Sequence, residues 1–338
     1  MQRRSFSCAA ITLAALCGAY PAHAAVELRV MVHSSFALPK PLLAQFEAQN
    51  ATKLVIIKGG DAGEMLNKLI LTRARPVADV VFGIDNTLVS KAIGAGVIEP
   101  MPTTAAVDAD LGQSVAAVDY GFVNLNYDKA ALAKRGTPLP TTLQDLTLPA
   151  YQGWLVVPNP ATSSPGYAFL LATIAGLGEE KAFAWWAQMR ANGLKVVKGW
   201  SEAYYTEFSY NKGRHPLVVS YATSPAAEVF YSKEKITEAP TASLNLKGGV
   251  FRQVEGVALI KGGGQRSVAL KFVDFLRSAP VQEALQTSMW MYPAQSSITR
   301  ADVMRHAVEP ASFDNLPAQV LADKGTQWVT RWTQVVLK

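Results

Sequence analysis

The sequence predicts an α/β fold of two doubly wound lobes, joined by crossover strands around a hinged cleft. Three observations carry that prediction. Between residues 26 and 95 an apolar strand pattern and a helical pattern alternate three times, which implies a parallel sheet with helices on both faces. Two longer extended stretches, 118–127 and 254–260, break that rhythm and read as crossovers out of the first lobe and back into it. Between them lies an aromatic-rich stretch, 198–225, flanked by the short apolar runs 194–197 and 217–219.

Taken in order, residues 26–33 alternate as a first strand and Ser34-Ser35-Phe36 turn the chain. The apolar stripe at 42–46 marks a first helix, 54–57 a second strand, and Lys58-Gly59-Gly60-Asp61 its end. Met65, Leu66, Leu69 and Leu71 mark a second helix, 80–82 a third strand and 87–95 a third helix. Beyond the first crossover, 143–148 is a short helix, 154–157 a strand, and 167–177 and 182–191 are helices. Beyond the second, 268–276 and 281–285 are amphipathic helices, 289–293 an apolar loop, and 327–337 a closing helix. The expected division is 25–118 with 256–300 as the first lobe, 119–255 as the second, and 301–338 as a C-terminal segment packed on the second lobe.

Residues 1–24 read as an export signal: Arg3 and Arg4 are the charged start, 9–16 the apolar stretch, and Ala22-His23-Ala24 a small-x-small cleavage site. No later stretch has the roughly 18 unbroken apolar residues of a membrane helix. Both cysteines, Cys8 and Cys17, belong to the signal, so the remaining chain offers no disulfide, thiolate metal site or cysteine nucleophile. The net charge is +6, but Lys and Arg are scattered without a run of five, a pattern that does not indicate nucleic acid.

The aromatic stretch holds Trp200, Tyr204, Tyr205, Phe208, Tyr210 and Tyr221 at or just beyond strand ends, where open α/β sheets take ligands. Such rings suit a planar or cationic small molecule; alternatively, several of them pack the core of the second lobe. Asp61 follows glycines that allow close backbone approach and precedes a helix, so it is either an N-cap or a partner for a ligand. Ser163 and Ser164 before Pro165 give a helix start that suits an anion, or ordinary capping.

Asp61 with Met65-Leu66-Asn67-Lys68-Leu69, the run from Ala78 to Asn86, Asp119-Tyr120-Gly121, and Tyr127-Asp128-Lys129 resemble one family, in its order. So do Thr162-Ser163-Ser164-Pro165-Gly166, the run from Lys198 to Tyr204, Ser220-Tyr221, Thr223-Ser224-Pro225-Ala226 and Trp290-Met291-Tyr292-Pro293. That family is the periplasmic thiamine-binding proteins, within the type II solute-binding proteins, and the resemblance spans nearly the whole chain after the signal. It implies a monomer that captures thiamine, with its mono- and pyrophosphate esters, for the membrane permease of an ABC importer. No catalytic residue, metal or cofactor is implied. The ligand contacts it implies fall on Asp61, Ala62, Ser163, Ser164, Trp200, Tyr221, Ala222, Thr223, Ser224 and Trp290. Three positions depart from the family: His33 stands where it has a ring, Ala62 where it has glycine, and Ala227 where a further ring is expected. Tyr205 or Phe230 are the candidates to compensate.

Two rival readings stay open. A ferric-ion binder of the same fold group would use Tyr204, Tyr205, His33 and a carboxylate, although neighbouring tyrosines on a helix splay by about 100°. A hydrolase acting on thiamine phosphates would need a nucleophile or metal motif, and neither G-x-S-x-G nor H-E-x-x-H occurs.

Overall fold

Alternating apolar residues build the first strand of a computed structural model that describes residues 26–102 and 111–338; the expected signal 1–24 lies outside the described residues. The first lobe begins β1 (Val26–Val32), α1 (Lys40–Asn50), β2 (Thr52–Lys58), α2 (Ala62–Leu71), β3 (Val80–Asp85), α3 (Val89–Gly94) and β4 (Ile98–Glu99). The long strand β5 (Ala116–Asp128) leads into α4 (Lys129–Arg135), β6 (Leu155–Pro158), α5 (Ser164–Leu177), α6 (Glu179–Ala191), β7 (Lys195–Val197), the short turn α7 (Trp200–Glu202), β8 (Leu217–Tyr221), α8 (Ser224–Tyr231) and β9 (Thr241–Leu244). Strand β10 (Phe251–Ile260) returns to α9 (Arg266–Leu276), α10 (Ala279–Ser288), β11 (Tyr292–Pro293) and α11 (Ala318–Leu337).

One continuous curled sheet runs β2-β1-β3-β10-β5-β8-β6-β7. Within each lobe three strands are parallel, β2-β1-β3 in the first and β8-β6-β7 in the second. The crossovers β5 and β10 lie antiparallel to each other and to their neighbours, and they are the strands both lobes share. A parallel strand needs a long return connection, so each strand's carboxyl end opens into a loop that precedes a helix. Both sets of loops face one cleft.

Strand β10 carries the bend. Its register slips at Glu255/Gly256 against β5 and at Gly256/Val257 against β3. A Cβ at Gly256 would stand 2.4 Å from the Val115 side chain and 2.7 Å from the Ala116 carbonyl oxygen, so only glycine fits. Such a bulge re-aims the neighbouring side chain, and here the neighbour is Glu255.

Several sequence expectations change in detail. Residues 289–293 are not wholly a loop, because Tyr292 and Pro293 pair with Tyr120 and Asp119 of β5. The short helix at 143–148 is a single 3-10 turn, Gln144–Thr147. Beyond the first crossover the chain also forms α4, not expected from the sequence, which Asp128 caps by accepting from the Ala131 N–H at 3.1 Å. Helix α11 rests on α6, where Trp332 meets Trp186 edge-on at 5.5 Å and Arg331 pairs with Glu179 and Glu180. It also reaches α3 of the first lobe, where the Ser90 hydroxyl donates to the Ala318 carbonyl at 3.4 Å.

Candidate functional site

The loops from both lobes enclose a cavity of about 270 Å³. Its roof on the second lobe is aromatic. Gly199 lets α7 begin beside the first lobe, and the Trp200 N–H donates to the Asp61 carboxylate at 3.0 Å. The indole N–H of Trp200 donates to the Ser220 hydroxyl at 2.8 Å, and that hydroxyl shares a 2.8 Å bond with Ser224. Trp200 is thus fixed at two points, with Tyr204 stacked on it at 5.2 Å and 19°. The chain then forms a π-type turn over Ala203–Glu207. It buries Tyr204, whose hydroxyl donates to Glu228, and leaves Tyr205 exposed and edge-on to Trp200 at 5.4 Å. The two tyrosine rings meet edge to face, with centroids 5.3 Å apart.

Trp290, from the segment after α10, lines the same cavity. It holds φ 61, a left-handed conformation uncommon for a bulky residue and worth about 1–3 kcal/mol of strain. Phe230 and Tyr231 brace it edge-on at 5.3 and 5.6 Å. Phe230 therefore supports the wall that Ala227 leaves thin, while Tyr205, Ala227 and Tyr231 line the cavity themselves.

The floor is polar. Asp85, Glu255 and Asp119 lie side by side on β3, β10 and β5, each in register with the next. The Ser164 hydroxyl donates to Asp85, and the Gln253 amide bridges Asp85 at 2.8 Å, Ser164 at 2.9 Å and Glu255 at 3.1 Å. Burial pushes the Asp85 carboxyl up to about 7, against the bonds from Thr87. Burial, helped by the Glu255 charge, raises Asp119 well above the usual carboxylate range. His33 Nε2 stands 3.5 Å from Glu255 Oε2. Burial opposes charge on that imidazole, yet Glu255, with Asp61 beyond it, holds His33 above the ordinary histidine value. No lysine or arginine lines the cavity among the described residues.

Of the residues singled out in the sequence, His33, Asp61, Ala62, Ser164, Trp200, Tyr221, Thr223, Ser224 and Trp290 line this cavity. Ser163 and Ala222 lie behind the lining, Ser163 fully buried and Ala222 packed among Phe122 and Tyr292. Asp61 makes no side-chain capping bond and neither does Ser163, so the capping alternative holds for neither. Sequence reasoning passed over Glu255, Glu228 and Met291, which also line the space. Glu255 had a signal, a single acid inside an apolar strand. Glu228 had none, because its partners Tyr204 and Thr241 are set by folding.

The family described as bacterial extracellular solute-binding protein matches residues 75–323. The chain is 31% identical to a thiamine-binding periplasmic protein of Escherichia coli K12, over 96% of this chain and 98% of that one. A solved periplasmic thiamin binding protein superimposes with TM-score 0.81 at 30% identity, covering 92% of this chain and 96% of its own. A ferric binding protein from Campylobacter jejuni shares the fold, with TM-score 0.73 at 17% identity over 91% and 99% of the two chains. The chain belongs to the bacterial extracellular solute-binding proteins and, within them, to the family of the thiamine-binding periplasmic proteins.

Proposed function

We propose that this protein captures thiamine in the periplasm and delivers it to the membrane permease of an ABC importer. The observation that carries the reading is the cavity itself: aromatic rings and acids in the lining and, among the described residues, no lysine or arginine. Thiamine has two flat rings, one of them a permanently charged thiazolium. A desolvated cation against Trp or Tyr gains up to about 2 kcal/mol, and ring stacking adds to it. Trp200 and Trp290 both line the cavity and supply rings for such a ligand. The phosphate esters are further ligands of this reading. Ser164 and Pro165 bring the amino end of α5 to the cavity, where the positive end of the helix dipole favours an anion. The protein acts as a monomer and without catalysis.

Isothermal titration of ligand-stripped protein with thiamine, and then with its mono- and pyrophosphate, tests the reading. One-to-one binding of thiamine with quenching of tryptophan fluorescence is expected. Absence of heat and of any fluorescence change would overturn it. Release of free thiamine from the phosphates on incubation would support the hydrolase instead.

A further inference from the structure

The rings account for the flat faces of a ligand, but the structure also holds an ionic pair in the floor that they do not explain. His33 ends the extended run of β1 and lies over Gly83 of β3. A Cβ at Gly83, which adopts φ 103, would stand 2.5 Å from His33 Cδ2, so the backbone leaves a slot for that ring. His33 is 8% exposed and Glu255 is 5% exposed, and both line the cavity. Among the described residues His33 Nε2 has no close hydrogen-bond partner, and Glu255 Oε2, at 3.5 Å, is the acid within ion-pair distance. The other oxygen, Oε1, accepts from Gln253 at 3.1 Å, which fixes the carboxylate beside the bulge.

The surroundings decide what this pair can do. Lys58 approaches His33 from β2, but its ammonium donates to the Ser34 carbonyl at 2.8 Å and to that of Phe36. Asp61 faces His33 from the head of α2 and is engaged by the Trp200 N–H. Asp85 of β3 and Asp119 of β5 flank Glu255 in register, and burial raises the proton affinity of both. Phe82 lies against the remaining face of the imidazole at 5.5 Å.

We infer that Glu255 meets the positive ring of the ligand and that His33, by holding or releasing a proton, sets how much of that carboxylate's charge the ligand feels. The inference rests on the cationic ligand proposed above. With His33 protonated the pair is neutral and attracts a cation weakly. With His33 neutral the full negative charge is available. Entry of the cation therefore expels a proton, and affinity rises with pH. Glu255 raises the proton affinity of His33, which places the change above the range of an ordinary histidine.

Calorimetry of the intact protein with thiamine at about pH 6 and about pH 8.5, in two buffers of different ionisation heat, tests this. Wild type is expected to bind about 100-fold more tightly at the higher pH, the effect of a unit charge about 6 Å away at an effective dielectric constant near 20. It should also release a proton into the buffer. Glu255→Gln should lose about 100-fold at the higher pH and, like His33→Gln, lose most of the slope, leaving only the part that Asp85, itself pushed up to about 7, contributes. The proton count needs no variant, so a count of zero overturns the inference even if a substitution impairs folding. Equal wild-type affinity at both pH values with no proton released would overturn the inference. So would a slope that survives in His33→Gln but vanishes in Asp85→Asn. Wild type that takes up no thiamine at either pH would instead fail the functional reading itself.

Discussion

Replacing Asp61 by alanine is expected to weaken thiamine binding by roughly 10- to 150-fold. The figure comes from one bond. The Asp61 carboxylate accepts the Trp200 N–H at 3.0 Å, across 139 residues of chain and from one lobe to the other. It therefore forms only when the lobes are together, and its loss falls wholly on the closed state. A hydrogen bond to a charged group contributes about 1.5–3 kcal/mol, which converts to the stated range. Helix α2 should hardly notice, since Asp61 makes no side-chain capping bond; it loses only a helix-dipole contribution of about 0.3–1 kcal/mol. Asp61→Asn keeps an acceptor and loses the charge, so its cost should be smaller, roughly fivefold. Calorimetry for affinity and differential scanning for stability, run side by side on the three proteins, give the comparison. Wild-type affinity in the alanine variant would refute the clamp. An equal loss of stability without ligand would make Asp61 a support of the first lobe instead.

Trp200→Ala should cost about 1–3 kcal/mol of thiamine binding by titration, with little change of fold, because it removes a stacked ring from the roof. Stability of the unliganded protein should fall as pH rises from about 5 to about 8. Burial pushes Asp85 and Glu228 up to about 7, so the folded chain holds protons that the unfolded chain has already released, and Tm should be higher on the acidic side. The opposite contribution of Asp79, held low against burial by its bonds with Arg29 and Gly264, lies below that window. Ferric citrate should produce no visible tyrosinate band, since the buried Tyr204 hydroxyl is committed to Glu228. Intact mass of the exported protein should begin at Ala25, and a mass that includes residues 1–24 would refute the signal reading.

The strands and helices whose apolar patterns run for several residues were legible in the sequence, because their own side chains decide them. The two crossovers stood out as extended runs, yet both proved longer than read. Arg252 and Gln253 interrupt the pattern that would have extended β10, although Gln253 is buried as the bridge between Asp85 and Glu255. Strand β11 was hidden for another reason. Two residues carry no period, and Pro293 signals a loop until Asp119 is found opposite it. Of the site, the rings and Asp61 could be named from local pattern and resemblance. Their arrangement could not, since the Asp61–Trp200 and Tyr204–Glu228 bonds join segments that only folding brings together.

Helix α11 turns the rear of the molecule into a bearing. It is bolted to the second lobe by Trp332 and Arg331, while its hydrogen bond to α3 of the first lobe is a long one, with a void of about 120 Å³ beside it. When the lobes part, the weak α3 side is where sliding meets least resistance. A bulky residue packed into that void, as in Ser90→Leu, should act as a wedge and slow ligand entry and exit without touching the cleft.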